Sequence, residues 1–430
     1  MDTRSSHALV RFGLGRLGAE PVPSDPAAWL LDQLKRPDPV AMDPPATTLN
    51  GLLTIREDRQ ARAKGVRPQG FVLYGAQGNA FLRHAASTQS PFRERLVWFW
   101  TNHFTISLRR GECAAVAGSF VEEAIRPHVT GRFEDMVLAV MRHPAMLLYL
   151  DNVNSVGPNS PANRTGRRGL NENLARECLE LHTVGAGGGY SQADVTSLAR
   201  ILTGWTLDLR SEQPGFVFDT AMHEPGAHTV MGRVFPPGEA GGVEALRFLA
   251  AHPSTHRFLA TKLVRHFVAD EPPPRAVARI EAALRDSNGN LGAAAAAVVG
   301  LEEAWDPPAT KFRPPQDLLI AAVRALGGPS ANTPDLLRFV AALGQQLWVA
   351  PAPNGWPDQA AAWTSPEAMM RRIDWTYAFA ARIGQRDPME IADNAMGPFL
   401  RPATRDAIAN AGSRREALTI LLTSPEFQRR

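Results

Sequence analysis

Hydrophobic residues recur along most of the chain at steps of three and four, the spacing that places them on one face of an α-helix. The clearest examples are residues 93–103, which are rich in aromatic side chains, and residues 133–151. The same pattern predicts helices over residues 172–184, 192–203, 243–251, 255–268, 275–287, 316–326, 334–343, 366–383 and 414–422. Residue types that favour the N-cap position precede four of them, at Asn171, Ser191, Ser254 and Thr333. The periodicity therefore predicts a mainly α fold.

Strand patterns are few and short. Residues 215–219 and 229–234 have the composition of a small antiparallel hairpin. Stretches rich in Pro, Gly and Asn predict long loops over residues 153–168, 209–242 and 351–359. We therefore expect a large multi-helix globular fold with one small β-hairpin and long ordered loops. Its regions are an N-terminal helical region (1–150), a central motif region (151–242) and a C-terminal helical region (243–430), joined in one structural unit.

The composition excludes several classes of protein. Apolar residues make up 44% of the 430 residues, charged residues 21%, and the net charge is +3, which is typical of an ordinary globular chain. Basic residues do not form runs interleaved with aromatics, so nucleic-acid binding is not expected. No window approaches the ~20 apolar residues of a membrane span, and the first residues lack the apolar segment of a signal peptide. We expect a cytoplasmic protein.

The most concentrated group of reactive residue types lies in residues 171–205. On a helix, Asn173, Glu177 and Glu180 form one polar stripe. Arg176 stands four residues from a glutamate on either side and can pair with either. The stripe is therefore a candidate for acid–base chemistry, while a solvent-exposed helix with ordinary Glu–Arg pairs has the same pattern.

Cys178 and His182 are four residues apart in that segment, so a helix turns both toward the same point. A thiolate and an imidazole together bind soft or borderline metals such as copper or zinc. Glu177 or Glu180 can add a further ligand or act as a base. The structural alternative is a buried Cys and His without metal.

Candidate residues also lie outside this segment. Asn102 and His103 follow an aromatic run in WFWTNHF. Nine tryptophans accompany only four tyrosines, and most tryptophans are packing anchors. A rarer use is a redox-active side chain, oxidised or cross-linked beside a metal or a cysteine, for which the candidates are Trp100, Trp205 and Trp356. The GxSxG, HExxH and CxxC patterns are absent.

In order along the chain, these motifs resemble the domain-of-unknown-function 1800 family. The matching pieces are RLVWFWTNHF, HPAMLLYLDN, NENLARECLELHTVGAGGGYSQADVTSLARILTGW, HPSTHRFLATKLVRHFVAD, TKFRPPQDLL and PAPNGWPD followed by Trp363. The resemblance implies a large helical protein without an assigned general activity. It also implies a partner protein, because genes of this family often stand beside those of a second, sulfatase-like family of unknown function.

The resemblance also picks out particular residues. Its most characteristic segment contains Asn171, Glu172, Asn173, Arg176, Glu177, Glu180 and His182, and elsewhere it includes Asn102, His103, His143, Asp151, Gly204, Trp205, Gly355, Trp356 and Pro357. The chain departs from the family pattern at Cys178, where a leucine-like residue is expected. A role for this thiol is therefore either confined to a subgroup of the family or absent.

The residues and the resemblance together favour an oxidoreductase-type enzyme that uses a bound metal, a tryptophan-derived quinone-like cofactor, or both. The expected catalytic residues are Glu177, Glu180, His182, His103, Asn102 and Arg176. The expected metal ligands are His182, Cys178, Glu177 and His103, and the cofactor would form from Trp205, Trp356 or Trp100 with Cys178. The alternatives are a metal-assisted hydrolase using the same groups and a non-catalytic helical partner or assembly protein of the sulfatase-like neighbour.

Overall fold

The structure is a computed structural model that describes residues 2–36, 43–62, 65, 68–164, 169–307, 309–330, 333, 335–383 and 386–430. Its α-helices are α1 (Thr3–His7), α2 (Pro26–Lys35), α3 (Thr48–Arg62), α4 (Gly70–Ser87), α5 (Pro91–His103), α6 (Ala117–Ser119), α7 (Phe133–Arg142), α8 (Pro144–Tyr149), α9 (Asn173–Glu177), α10 (Gln192–Ile201), α11 (Glu239–Ala250), α12 (Pro253–Phe267), α13 (Pro274–Asp286), α14 (Leu291–Val299), α15 (Pro315–Ala325), α16 (Leu336–Ala342), α17 (Pro366–Ile383), α18 (Pro388–Met396), α19 (Pro402–Ala409) and α20 (Arg414–Thr423). π-Helical turns directly follow α1, α6 and α9, at Ala8–Phe12, Phe120–Ile125 and Cys178–His182. The predicted mainly α class is confirmed.

The helices predicted from periodicity are present, with two informative differences. The stretch 133–151 is divided into α7 and α8, because Pro144 lacks an amide hydrogen and begins a new helix after His143. The stretch 172–184 is α-helical only as far as Glu177 and continues as the π-helical turn Cys178–His182. Turns of this kind are rare and occur often at functional sites.

One of the four predicted N-cap residues is confirmed. Ser191 caps α10 in a reciprocal capping box with Asp194. The other three predicted N-caps are wrong: the helices expected after Asn171, Ser254 and Thr333 begin after Glu172, His252 and Asp335. Residue 334, part of one predicted helix, lies outside the described residues.

The predicted hairpin is wrong in its pairing. Strand β1 (Trp205–Asp208) pairs with β2 (Gly215–Phe218), and β3 (His228–Val230) pairs with β4 (Arg233–Phe235), both antiparallel. Between β3 and β4, the loop consists of Met231 and Gly232, both with positive φ, at 48° and 79°. Two such residues make the tight turn that joins neighbouring strands directly. A methionine in the left-handed region is uncommon, which hid this turn from the sequence pattern.

The hydrophobic core is continuous from Ala8 to Phe427 and draws on all three regions expected from the sequence. The boundaries of those regions stay a prediction. The core also encloses large cationic side chains, among them Arg11, Arg95, Arg313, Arg324, Arg372 and Arg430. Burying a guanidinium group without a partner costs free energy. The polar groups that surround these arginines therefore mark the polar part of the interior. Within the described residues, no helix is long and apolar enough to cross a membrane.

Candidate active site

A cavity of about 320 Å³ lies where α5, α12 and the start of α15 meet the loop between α16 and α17. Helix α5 contributes Asn102 and His103, and α12 contributes Lys262 and His266 one turn apart. Arg430 closes one side. The volume is in the range of small-molecule sites, and the polar groups in its wall determine what it can do.

His266 and Asp358 form a hydrogen-bonded pair in this wall. His266 Nδ1 lies 2.7 Å from Asp358 Oδ2, so the carboxylate accepts the Nδ1 proton and leaves the lone pair on Nε2. Nε2 is buried, and no described residue is hydrogen-bonded to it. Burial lowers the pKa of His266 to about 4 although Asp358 opposes the change. At neutral pH the pair is therefore a neutral imidazole oriented by a carboxylate, the arrangement of a general base.

Asp358 itself stays ionised in this setting. Its own burial raises its pKa, but His266, Lys311 and Arg430 outweigh that effect and hold the pKa below the ordinary range. Lys311 also donates from Nζ to the Asp358 carbonyl oxygen at 2.8 Å and pairs with Asp270. The carboxylate that orients His266 is thus fixed from several sides.

Positive charge exceeds negative charge in the described part of the cavity wall. The charged lining residues are Arg95, Lys262, Arg265 and Arg430 against Asp317 and Asp358. Arg95 is neutralised by Asp317 through two contacts of 2.9 and 3.1 Å. Arg430 shares both carboxylates, with Nε 3.0 Å from Asp317 and Nη2 3.5 Å from Asp358. Lys262 and Arg265 have no described carboxylate within ion-pair distance, so the wall favours an anion.

The cavity wall also carries hydrogen-bond donors that lack acceptors. The buried indole N–H groups of Trp98, Trp348 and Trp356 and the hydroxyl of Thr101 have no hydrogen-bond partner among the described residues. The N–H groups of Arg430 lie near carboxylates but are not aligned with them as hydrogen bonds. A buried donor without an acceptor costs about 1–3 kcal/mol. This concentration of donors matches a molecule rich in acceptor oxygens.

Asn102 fixes the loop that carries Trp356 and Asp358. Its Nδ2 donates to the Trp356 carbonyl oxygen at 2.8 Å, and its Oδ1 accepts the Trp356 N–H at 2.8 Å. Gly355 has a φ of +79°, and a Cβ there would lie 2.5 Å from the Asn102 carbonyl oxygen. Only glycine permits both the conformation and the close approach.

Trp348 is strained at the opposite wall. Its φ is 55°, a conformation that a bulky side chain rarely adopts. The indole is held against Tyr74 and Phe81, with ring centroids 6.1 and 5.6 Å away. Backbone strain of this kind costs roughly 1–3 kcal/mol and clusters at functional sites.

Three of the predicted site residues, Asn102, His103 and Trp356, line this cavity, as does Pro357, which the family resemblance also includes. His103 also connects the cavity to a second buried group. Its ring centroid lies 6.2 Å from that of His182 and 5.3 Å from that of Trp100. His103 Nε2 lies 3.0 Å from the His182 carbonyl oxygen and donates to it. The π-helical turn thus presents its last carbonyl to α5.

His182 lies fully buried in this second group, and neither ring nitrogen has a hydrogen-bond partner in the described structure. Burial, reinforced by Lys262, lowers its pKa to about 3 and also lowers that of His103. Cys178 is buried in the same turn, which raises the pKa of its thiol to about 12. Two neutral imidazoles and a protonated thiol therefore lie in apolar surroundings.

In the described ranges, no three or more His, Cys, Asp or Glu side chains are placed to hold a metal ion. The predicted ligand set of His182, Cys178, Glu177 and His103 stays a prediction.

The polar stripe of α9 lies apart from the cavity lining. Arg176 pairs with Glu172 at 2.8 Å. Glu180 accepts a hydrogen bond from Tyr190 at 3.5 Å. Glu177 is half-buried, and burial together with the charge of Glu180 raises its pKa. These residues form a helix surface network and do not reach into the cavity.

Trp205 and Trp100 are packed in the core. The Trp205 ring lies 5.3 Å from the Arg142 guanidinium and 5.4 Å from Phe216, beside the β1–β2 sheet. Trp356 instead lines the cavity and lies 5.8 Å from Trp363. The tryptophans proposed as cofactor precursors therefore occupy different environments.

Sequence reasoning missed four central residues of the cavity: Lys262, His266, Asp358 and Arg430. Two of them carried a usable signal. Lys262 and His266 stand four apart in HPSTHRFLATKLVRHFVAD, so a helix presents them on one face. Asp358 ends PAPNGWPD, but nothing local shows that this loop meets α12.

The model of a family described as "Protein of unknown function (DUF1800)" matches residues 7–429. No curated protein matches the chain, and no solved structure matches it.

Proposed function

The chain belongs to the DUF1800 family of proteins of unknown function, and we propose that it is an enzyme whose active site is this cavity. Its substrate is a small organic molecule with an anionic group, and His266 is its general base. The observation that carries the proposal is the free Nε2 of His266, oriented by Asp358 at 2.7 Å, in a wall with excess positive charge.

The residues divide into two roles. Arg430, Arg265 and the indole N–H groups of Trp348 and Trp356 bind the acceptor oxygens of the substrate. His266 Nε2 takes a proton from the substrate or from a water molecule, and Asp358 stabilises the imidazolium that forms. Because the neutral imidazole is the active form, the contribution of His266 to the rate should be constant above its pKa of about 4 and fall as the pH drops through that value.

Anion binding is tested first, with the fluorescence of the cavity tryptophans as the signal. Phosphate, sulfate, oxalate and malonate are titrated into the wild-type protein and into Arg430→Gln, with Arg429→Gln as the matched control. We expect saturable binding of at least one anion that weakens about tenfold or more in Arg430→Gln and is unchanged in the control, since a charged hydrogen bond contributes ~1.5–3 kcal/mol. Absence of saturable binding by the wild-type protein would contradict the anion site.

Proton abstraction is tested separately. Oxo acids and hydroxy acids are incubated with the protein in deuterated water, and the loss of C–H signals is followed by NMR. A panel of phosphate, sulfate and carboxylate esters tests attack by water in parallel. His266→Gln should lower any activity by about a hundredfold or more, whereas His128→Gln, outside the cavity, should not. Equal activity in His266→Gln would refute the base assignment.

A second candidate function is the oxidoreductase expected from the sequence. The observation that favours it is the contact of His103 with both His182 and Trp100, together with the unpartnered ring nitrogens of His182. Two imidazoles provide part of a copper or zinc site, and Cys178 lies in the same turn as His182. Bound copper would supply one-electron chemistry at this position.

Two measurements separate this candidate from the first. Accurate intact mass with peptide mapping over Cys178, Trp100, Trp205 and Trp356 shows whether any of these residues is modified. Metal analysis of the wild-type protein and of His182→Ala shows whether His182 holds a metal. Sequence mass throughout and equal metal content in both proteins would exclude the oxidoreductase with these residues. The metal-assisted hydrolase requires bound metal without a mass change, and the partner role with a sulfatase-like protein requires neither.

A further inference from the structure

Lys262 is the reactive group of the cavity that the general-base mechanism leaves unused. It lies on α12 one turn before His266, and both side chains line the cavity. Its ammonium lies 5.6 Å from the centroid of the Phe258 ring. No described carboxylate pairs with it. A half-buried lysine without an ion pair is costly to keep charged.

Lysine is also the unusual choice of cation in this chain. Only four of the 46 basic residues are lysines, at positions 35, 64, 262 and 311. Lys35 is exposed at the end of α2, and Lys311 is buried in its ion pair with Asp270. Arginine serves nearly everywhere else, including the cavity positions 95, 265 and 430. An amine differs from a guanidinium in one respect that matters here, because it can lose its proton and act as a nucleophile.

We propose that Lys262 forms a covalent imine with a carbonyl compound that also carries a carboxylate, such as a 2-oxo acid. This inference rests on the proposed function, since the carboxylate of the ligand would occupy the cationic wall formed by Arg430 and Arg265. It adds the chemical class of the substrate and a second catalytic residue.

The surroundings of Lys262 favour the neutral amine. Burial lowers its pKa to about 8, with Arg265 acting in the same direction and Asp358 opposing both. Roughly a tenth of the side chains is then unprotonated at neutral pH, about two hundred to three hundred times more than for an ordinary lysine. Desolvation and a neighbouring cation are the means by which imine-forming lysines are activated in general.

The step balances without any further reactant. The lone pair of Nζ forms a bond to the carbonyl carbon, and the carbonyl oxygen becomes a hydroxyl by taking the proton that the nitrogen gives up. The nitrogen then gives its second proton to this hydroxyl as the C–O bond breaks, so that water leaves and a C=N bond remains. His266 Nε2, one turn away and without another partner, transfers the proton from nitrogen to oxygen. The carboxylate of the ligand stays paired with the arginines throughout.

Reductive trapping tests the proposal on the intact chain. The protein is incubated with pyruvate and cyanoborohydride, which reduces an imine to a stable amine, and the adduct is mapped by peptide mass spectrometry. We expect one adduct, on Lys262, and much less trapping with acetone, which has the carbonyl group without the carboxylate. Lys35 is the internal control for non-specific reaction at an exposed amine.

Two comparisons keep the test decisive. Lys262→Arg retains the charge but cannot form the adduct, and circular dichroism verifies that it is folded. Sulfate added to the wild-type protein should reduce trapping by competing for the arginines, and this comparison needs no variant. An adduct equally abundant on Lys35, or trapping of acetone as efficient as that of pyruvate, would overturn the imine proposal. Saturable anion binding in the same sample would then leave the proposed general-base function standing, whereas its absence would remove both.

Discussion

Asp317 is the carboxylate on which the buried charges beside the cavity depend, so Asp317→Asn is the most informative test of stability. Asp317 lies in the first turn of α15 and contacts two guanidinium groups, those of Arg95 and Arg430. Asparagine has the same shape but no charge, which leaves both cations buried against a neutral amide. Removal of one partner from a buried ion pair typically costs ~3–5 kcal/mol. Because the amide oxygen still accepts one hydrogen bond, we expect a loss of about 3 kcal/mol.

The pH dependence of the free energy of unfolding gives an independent estimate of how much Asp317 stabilises the protein. Burial alone would raise the pKa of Asp317, but Arg95 and Arg430 lower it from 3.8 to about 2. A carboxyl group with a depressed folded-state pKa stabilises the protein fully above its unfolded-state value and loses that contribution as the pH falls toward the folded-state value. The difference corresponds to about 2–3 kcal/mol, which should disappear between about pH 4 and pH 2.

Urea unfolding followed by circular dichroism measures both effects. The wild-type protein and Asp317→Asn are compared at neutral pH, with Asp286→Asn on the exposed surface of α13 as the control. The midpoint should fall clearly in Asp317→Asn and remain unchanged in the control. Toward acid pH the two proteins should converge, because protonation removes the same charge. A loss below about 1 kcal/mol at neutral pH would refute the idea that this carboxylate offsets buried cations.

Further consequences follow for three other positions. Asn102→Ala removes two hydrogen bonds to Trp356 and should lower the free energy of unfolding by about 1–3 kcal/mol. Faster amide exchange confined to the loop around Gly355 would verify this prediction, and unchanged exchange would show that Asn102 does not hold the loop. Ser191→Ala removes the cap of α10 and should lower the free energy of unfolding by about 1 kcal/mol, which chemical denaturation measures; an unchanged value would contradict the cap. Cys178 should resist iodoacetamide at mildly alkaline pH until urea unfolds the chain, because burial raises its pKa to about 12; labelling of the folded protein would show that the thiol is accessible.

Local patterns in the sequence predict most of the helices because local physics determines them. The apolar face of a helix repeats every three to four residues, so a helix such as α17 was predicted with the bounds that the structure shows. Strand pairing failed because it depends on turns, and the turn at Met231 places a residue in a conformation that its type seldom adopts. The π-helical turn at Cys178–His182 is only five residues long, which is too short for a periodic pattern of apolar residues to show it.

The candidate site was predictable only in part, because its residues meet through tertiary contacts. Asn102 and His103 were recognised beside an aromatic run, and Trp356 in a loop, but their shared cavity depends on contacts across more than 250 residues, such as that between Asn102 and Trp356. Asp358 gains its role from His266, 92 residues earlier. The polar stripe of α9 looked more reactive because its residues are adjacent in sequence, yet its arginine pairs with Glu172 on the helix surface. The cavity instead draws its groups from α5, α12, the start of α15 and the loop between α16 and α17, which lie far apart in the sequence. Lys262 and His266, whose Nε2 has no hydrogen-bond partner among the described residues, are two of the groups that line the cavity.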